Sequence, residues 1–388
     1  MQYRKGILRS FFGLGAIMAL LAVIAACGSD PTATTAAPTA TNAPQATSGP
    51  TMVPPTATNV PPTATKVPDA TPVVLKAAAA WPITSTSSTQ WLEYIKEVNR
   101  RANGALVIDF VGGPEVVHPF EGFNALRSGI IDLVHTAAGY FGGEVPEGAA
   151  FSMLPAPPAL SFQEIVDAWY TTGALELING IYEQKAGVRS IGFQVGGQGF
   201  GLIMTEETNS LADLKGKRIR VWDAMGAAIM TAAGAVPQTI PASELYTALQ
   251  RGTVDGALRD PGAAWSQGEK DVYNTIVRPP VFSGSGGGFI SVQAWNGLGP
   301  DLQKLLMDTS YEMAPDIFGW YADDEQFSVD EFAKVGTVER TISTAEWKVL
   351  HDGHQSHWDA VGETSPAMLE IKALLQPFLD KALTNLGL

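Results

Sequence analysis

The chain has 388 residues, a formal net charge of −14 and a single cysteine. A chain of this length is too long for one small core and has room for two lobes. No basic stripe offsets the acidic balance, which excludes a nucleic-acid-binding protein. One cysteine excludes an internal disulfide, so a packed core must supply the stability.

The first 26 residues have the pattern of a secretory signal. Basic residues precede an apolar run over 11–26 that is short for a membrane span, and small residues come directly before Cys27. The pattern predicts a lipoprotein signal peptide over 1–26, cleaved before Cys27, with the lipid carried on that cysteine. The alternative is an uncleaved anchor helix with an incidental cysteine. Both interpretations place the protein outside the cytoplasm and at the cell membrane.

Residues 27–72 consist largely of Pro, Thr and Ala, and the hexapeptide Val-Pro-Pro-Thr-Ala-Thr at 53–58 recurs at 60–65. So few apolar groups cannot offset the entropy of ordering the chain. We therefore expect a disordered, extended tether that acts as a spacer between the membrane and a globular part. The alternative is a low-complexity tail without a length requirement.

Residues 73–388 alternate between strand and helix patterns. The first segments predict a strand over 74–79, an amphipathic helix over 90–102 and a strand over 105–111. Such alternation is typical of an α/β fold with largely parallel sheets. A later apolar pattern over 302–332 predicts a long helix, in which proline and glycine favour a kink or a break.

The stretch from 211 to 261 continues the alternation and introduces Arg220. This arginine lies on a predicted strand and points away from Ile219 and Val221, because successive strand side chains alternate faces. The segments that follow predict a helix, a strand and a helix capped by Ser243, over 224–234, 236–240 and 244–251.

Arg220 is the first candidate for ligand binding. It lies near the carboxyl end of its strand, where open α/β sheets bind small ligands. A guanidinium also binds a carboxylate through two parallel hydrogen bonds, which a lysine cannot do. The alternative role is a structural salt bridge, with Asp213 or Asp255 as its partner.

Several motifs in this part of the chain resemble those of one family. They are DLKGKRIR at 213–220 and SELYTALQRGTVDG at 243–256, with PFEGFNALRSGIIDLVHT at 119–136 and AWNGLGPDLQ at 294–303. These motifs resemble the solute-binding proteins of TRAP (tripartite ATP-independent periplasmic) transporters, the DctP family. The resemblance is nearest to the subgroup that binds 2-oxo acids and related monocarboxylates, and it covers most of the chain after about residue 73.

The resemblance implies a two-lobed fold like that of periplasmic binding proteins, with mixed, mainly parallel sheets, hinge strands and a long connecting helix. Lobe I would comprise about 73–197 and 282–310, and lobe II about 198–281. Residues 311–388 would form C-terminal helices.

The resemblance also implies a function: an extracytoplasmic receptor that captures a small organic acid and delivers it to a TRAP-type membrane permease, without catalysis. Two alternatives stay open. One is a sensor that binds the same ligand and contacts a signalling partner, and the other is an enzyme that uses the same cleft. No Ser/His/Asp arrangement, metal-ligand motif or nucleotide loop stands out in favour of the enzyme.

The resemblance adds two binding candidates to Arg220, and strand geometry adds a third. Gln198, in a glycine-rich segment, and Tyr140 match positions that the monocarboxylate subgroup uses near its ligand. Alternatively, Gln198 is exposed on an ordinary hinge or bulge and Tyr140 belongs to the core. Trp222 shares the strand face of Arg220, so it is expected to form a wall of the pocket.

Arg259 and Asp260 depart from the family pattern. Monocarboxylate-binding relatives carry Glu-Trp here, and the glutamate helps to hold a metal cation that bridges to the substrate. An arginine in place of a carboxylate ligand disfavours calcium, which requires oxygen donors. We therefore predict a site without a cofactor, in which Arg259 replaces the cation and binds the substrate directly. In the alternative, Arg259 turns outward and Asp260 pairs with Arg220.

Three histidines, His351, His354 and His357, follow one another at intervals of three residues. This spacing spreads the imidazoles over a broad helical arc, and Gly353 is expected to interrupt the helix. Zinc would need further ligands that the neighbouring sequence does not offer. The pattern favours an exposed surface helix over a metal site.

Overall fold

The computed structural model describes residues 71–387 with the exception of a few short segments, namely 153, 155–158, 193–198 and 283–285. The predictions for the signal peptide, Cys27, nearly all of the tether and Gln198 therefore lie outside the described residues. Across the described ranges, no helix combines the length and the apolar character that crossing a membrane requires.

The described residues form eleven strands. In chain order they are β1 (Val73–Ala79), β2 (Leu106–Gly112), β3 (Leu133–Ala137), β4 (Val188–Ser190), β5 (Gly201–Met204), β6 (Arg218–Val221), β7 (Val236–Thr239), β8 (Gly256–Arg259), β9 (Thr275–Arg278), β10 (Gly286–Ser291) and β11 (Val338–Thr341).

The same part of the chain forms eleven α-helices. They are α1 (Thr86–Ala102), α2 (Gly122–Arg127), α3 (Phe162–Tyr170), α4 (Ala174–Ala186), α5 (Ala224–Ala232), α6 (Ala242–Gln250), α7 (Pro261–Ser266), α8 (Val292–Gly297), α9 (Pro300–Lys334), α10 (Thr344–Thr364) and α11 (Pro366–Asn385).

The strands assemble into two mixed sheets. The first has the order β2-β1-β3-β10-β4, and the second has the order β11-β9-β5-β8-β6-β7. Five of the nine strand pairings between described residues are parallel, including those of β1 with β3 and of β6 with β8. The α/β fold with mixed, mainly parallel sheets is therefore confirmed. The segment 311–388, expected to be helical, also contributes β11 to the second sheet.

Each sheet has its own hydrophobic core, and α9 joins the two. Leu306, near the start of α9, packs with the core of the first sheet. Val329 and Phe332, near its end, pack with residues of the second sheet. Burial of apolar side chains at both ends fixes the helix to both lobes. This arrangement confirms the two-lobed architecture with a long connecting helix.

The expected break in α9 is wrong, because the helix is continuous over its 35 residues and contains Pro315 in its interior. A proline removes one backbone hydrogen bond and disfavours the preceding turn. Here the neighbouring Ala314, Ile317 and Phe318 are buried. Tertiary packing of this face therefore outweighs the local propensity to end the helix.

Two helix starts differ from the predicted positions. Helix α1 begins at Thr86, and the side chain of Ser85 accepts a hydrogen bond from the backbone N–H of Ser88. The first turn of this helix consists of Ser and Thr residues and has no apolar periodicity, so the sequence pattern did not predict that the helix begins there. Helix α6 begins at Ala242 after Pro241, so Ser243 lies inside the helix and the predicted cap is wrong.

The expected surface position of the histidines in α10 is also wrong. His351 and His354 are buried, and the ring of His354 stacks on Phe282 with centroids 5.7 Å apart. Gly353 does not interrupt the helix. A Cβ atom at this position would lie 2.8 Å from the Cβ of Ala232, so glycine allows α10 to pack closely against α5.

Candidate ligand-binding site

A cavity of about 40 Å³ lies where the carboxyl ends of strands from both sheets converge. In the first sheet β1 and β3 are parallel neighbours, and they are followed by Trp81 and Tyr140. In the second sheet β6 and β8 are parallel neighbours, and they place Arg220 and Arg259 at the same edge. Parallel strands bring residues at their carboxyl ends together, which makes this edge the usual place for a ligand in α/β folds.

The cavity wall combines aromatic, charged and small residues. Its aromatic residues are Trp81, Tyr140, Phe200, Trp222 and Tyr321. Its charged residues are Arg220, Arg259 and Asp260, and its small residues are Ser87, Ala137, Ala242 and Ala263. Five of the six residues predicted to bind the ligand thus line one cavity, and the sixth, Gln198, lies outside the described residues. That they bind a ligand stays a prediction.

Arg220 is buried, with 1% of its surface exposed. Its Nε donates to the backbone oxygen of Ile240 at 2.8 Å, and its Nη1 to that of Leu258 at 3.4 Å. Burial lowers the pKa of its guanidinium. In the described part of the chain it forms no salt bridge, since Asp255 pairs with Arg218 at 2.7 Å. The alternative, a structural salt bridge of Arg220 with Asp213 or Asp255, is therefore wrong.

Trp222 and Tyr140 flank Arg220 from the two lobes. The Cζ of Arg220 lies 5.2 Å from the centre of the Trp222 ring, a distance typical of a cation–π contact. Tyr140 is half-buried, and its ring packs edge-on against Phe120 with centroids 4.7 Å apart. Its hydroxyl makes no hydrogen bond to any described residue, so it is available to a ligand.

Arg259 is buried and paired, so the alternative in which it turns outward is wrong. Its Nη2 donates to Oε1 of Glu269 at 2.8 Å and its Nε to Oε2 at 3.4 Å. The hydroxyl of Tyr273 donates to the same carboxylate at 2.9 Å. Burial is the largest single influence and lowers the pKa of Arg259, but the charges of Glu269 and Tyr273 and the hydrogen bond to Glu269 together raise it, so the net direction is upward. Glu269 thus neutralises the charge that was expected to replace a cation.

Asp260 follows Arg259 directly and caps helix α7. Its Oδ1 accepts the backbone N–H of Ala263 at 2.7 Å, while its Oδ2 has no hydrogen-bond partner among the described residues. Burial, followed by the negative charge of Glu325, raises the pKa of Asp260 to about 7. The alternative pairing of Asp260 with Arg220 does not occur between these described residues.

Asp223 brings the two sheets into contact beside the cavity. It follows strand β6 and caps helix α5, since one carboxylate oxygen accepts the backbone N–H of Gly226 at 2.7 Å. A Cβ atom on Gly139, which lies beside Tyr140 at the other carboxyl edge, would be 2.2 Å from its second oxygen. Burial raises the pKa of Asp223 to about 6. Only a glycine at 139 allows this approach.

The residues at this site do not fit a calcium ion. Calcium takes six to eight oxygen ligands, whereas Asp260 is the only acidic residue among the described residues that line the cavity. Arg259 adds a positive charge beside it. Within the described ranges no group of three or more His, Cys, Asp or Glu residues is arranged to hold a metal ion.

Sequence reasoning missed several residues of the site. Trp81 follows the end of β1, so strand position alone could have indicated it. Glu269 and Tyr321 carry no such signal, because the first lies in the turn after α7 and the second in the middle of α9. Only the packing of these helices brings Tyr321 to the cavity and Glu269 to Arg259.

The fold has parallels among known proteins. The monocarboxylate 2-oxoacid-binding periplasmic protein of Nostoc sp. is 28% identical over 184 residues, which cover 47% of this chain and 49% of that protein, about half its length. A TRAP solute-binding protein from Colwellia psychrerythraea, solved with calcium and pyruvate, has a TM-score of 0.70 at 23% identity, covering 81% of this chain and 97% of that one.

A second solved structure is similar to the same extent. A TRAP solute-binding protein from Rhodoferax ferrireducens, with malonate bound, has a TM-score of 0.70 at 21% identity, covering 80% of this chain and 99% of that one. Residues 77–364 match the profile of the DctP family, described as bacterial extracellular solute-binding protein, family 7. With most of its length matched, the chain belongs to this family of extracellular solute-binding proteins.

Proposed function

We propose that the protein is the extracytoplasmic receptor of a TRAP-type transporter and captures a small carboxylate with Arg220. The observation that carries this proposal is a buried guanidinium that lines a cavity and whose hydrogen bonds to described residues go to two backbone carbonyl oxygens and to no carboxylate. A buried charge without an acidic partner is costly. A ligand carboxylate would supply the missing charge through strong, paired hydrogen bonds.

The size of the cavity supports a small ligand. A volume of 40 Å³ has room for about three water molecules, at roughly 10–15 Å³ each by this measure. An acid of a few carbon atoms fits such a space after slight opening. The relatives agree in kind, since their names and bound ligands include 2-oxo acids, pyruvate and malonate.

The rest of the proposed function follows from the same features. The site binds its ligand without a metal ion, because Asp260 is the only acidic residue among the described residues that line the cavity and the positively charged Arg259 lies beside it. It acts as a receptor without catalysis, as its membership of a family of solute-binding proteins suggests, and none of the described residues that line the cavity is a nucleophile paired with a base. Lipid on Cys27 would hold the receptor at the cell membrane, next to the permease subunits that accept the ligand.

The test is a thermal-shift screen of the purified full-length protein against small carboxylates, with EDTA and calcium arms. A ligand at 100 times its Kd stabilises the native state by about 2.7 kcal/mol. We expect a shift that survives EDTA and is lost in Arg220→Lys. The matched control is Arg218→Lys, on the same strand but exposed and paired with Asp255. A shift that requires calcium, or one that Arg220→Lys leaves intact, would contradict the proposal.

A further inference from the structure

We propose that the ligand carries a cationic amine as well as a carboxylate, and that Asp260 binds the amine while Arg220 binds the carboxylate. The inference rests on the proposed function, because it takes this cavity as the binding site and names the class of ligand. That class is a small zwitterion of the amino-acid type.

The first observation is an unsatisfied carboxylate oxygen. Asp260 is 1% exposed and lines the cavity. Its Oδ1 is occupied by the N–H of Ala263, but its Oδ2 accepts no hydrogen bond from the described residues. A buried carboxylate oxygen without a donor costs free energy. What Asp260 lacks is a donor that arrives with the ligand.

The second observation is the balance of charge around the cavity. Glu269 neutralises Arg259, whereas Arg220 and Asp260 form no salt bridge within the described part of the protein. A simple carboxylate would satisfy Arg220 but would add a second negative charge beside Asp260 in a buried space, unless Asp260 took up a proton. A zwitterion satisfies both residues and leaves the charge of the cavity unchanged.

The third observation is the aromatic wall. Five aromatic rings line this small cavity, two of them tryptophans. The faces of such rings attract an ammonium group, and the attraction strengthens when water is excluded. A cavity of about 40 Å³ leaves little space for a long side chain. A hydroxyl group on the ligand could also donate to Asp260. It carries no positive charge, however, so Arg220 alone would have to balance both the ligand carboxylate and Asp260.

The experiment compares acids that differ in one substituent. Calorimetry on the full-length protein would measure two series: alanine, lactate and propionate, and 4-aminobutyrate, 4-hydroxybutyrate and butyrate. Within each series the carbon skeleton is the same and only the amine, hydroxyl or hydrogen changes. We expect the amine to bind at least tenfold more tightly than the unsubstituted acid in the series whose length matches the site.

Two variants assign the preference to Asp260. In Asp260→Asn the amide oxygen still accepts the N–H of Ala263, so the cap of α7 is retained while the charge is lost. We expect this variant to lose at least tenfold of the preference for the amine, because the amine loses its ionic partner while the unsubstituted acid no longer meets a second negative charge. The control, Asp324→Asn, removes a nearby carboxylate that does not line the cavity and bonds to Thr86, and it should keep the preference.

The outcomes separate this inference from the proposed function. Equal affinities within both series, a hydroxy acid that binds best, or an unchanged preference in Asp260→Asn would overturn the zwitterion. If Arg220→Lys still weakened every acid, the carboxylate receptor would stand. If Arg220→Lys changed nothing, or if no acid bound at all, the proposed site would fail and the inference with it.

Discussion

Arg259 and Glu269 form a buried ion pair, with Nη2 and Oε1 2.8 Å apart and side chains that are 3% and 1% exposed. Removing one partner of such a pair leaves an uncompensated charge in the interior. We therefore expect Glu269→Gln to lower the free energy of unfolding by about 3–5 kcal/mol, measured by urea denaturation. The double substitution Arg259→Met with Glu269→Leu should restore much of this loss, because it removes both charges.

An exposed pair provides the control for that experiment. Glu339 accepts from Arg278 at 2.9 Å, but its side chain is 49% exposed. Solvent screens such pairs, so Glu339→Gln should cost less than about 1 kcal/mol. Equal losses for Glu269→Gln and Glu339→Gln would show that burial of the Arg259 pair contributes nothing.

The raised pKa of Asp260 predicts how stability depends on pH. Burial and Glu325 raise the pKa of Asp260 to about 7, and Asp324 also raises it while Arg259 lowers it. Because the folded pKa lies above the unfolded value, the protonated form favours folding at low pH. That contribution is complete below about pH 4 and disappears as the pH rises through about 7.

Asp260→Asn removes this dependence and isolates the effect of the group. We expect the variant to become more stable relative to the wild type as the pH rises from 4 to 7. The gain should be at least about 1.4 kcal/mol, which corresponds to one pKa unit. Thermal melts without ligand at each pH would measure the difference. A constant difference across this range would mean that Asp260 ionises with its ordinary pKa.

Gly353 should not tolerate a methyl group, although it lies within a helix. A Cβ there would be 3.0 Å from the Cα of Ile229 and 2.8 Å from the Cβ of Ala232. We expect Gly353→Ala to destabilise the protein by about 1–3 kcal/mol because of overpacking. Gly319, inside α9, has nothing within 4 Å of its Cβ position. Gly319→Ala should stabilise by up to about 1 kcal/mol, and the same sign for both substitutions would refute the packing argument.

The contact between Gly139 and Asp223 predicts an effect on binding. A methyl group at 139 would press on the Asp223 carboxylate and hold the two carboxyl edges apart. We expect Gly139→Ala to weaken ligand binding on the order of tenfold, or about 1.4 kcal/mol, in titration calorimetry. Gly143 has open space around its Cβ position, so Gly143→Ala should bind normally. Normal binding by Gly139→Ala would mean that the close contact between residue 139 and Asp223 does not affect ligand affinity.

Two of the residues that the sequence placed at the site were located from strand geometry: Arg220 near the carboxyl end of its strand, and Trp222 on the same strand face. Arg259 and Asp260 were singled out by their departure from the pattern of the family that the sequence resembles, and the structure shows that they too lie at the end of a strand. The partner of Arg259 could not be located this way. Glu269 reaches it through the turn after α7, and a turn conformation depends on contacts that no short pattern contains.

The errors in the fold prediction have a common physical cause. Pro315 should end a helix by local propensity, and the histidines of α10 should be exposed by their polarity. Tertiary packing outweighs both tendencies. Helix α9 continues through Pro315 because Ile317 and Phe318 are buried on one of its faces, and histidines of α10 are buried on a helix that packs against α5. Propensity is a weak predictor wherever an element is held by tertiary contacts.

Pro315 is the point in α9 at which a bend would cost least. Helix α9 is anchored in one lobe by Leu306 and in the other by Phe332, and Tyr321 between them lines the cavity. Any change in the angle between the lobes must therefore bend α9. At Pro315 the helix already lacks a backbone hydrogen bond, so bending there sacrifices no further one. In the proposed receptor, a bend at this proline would therefore cost less than a bend elsewhere in α9, and the opening that it permits would govern how long a bound ligand stays in the cavity.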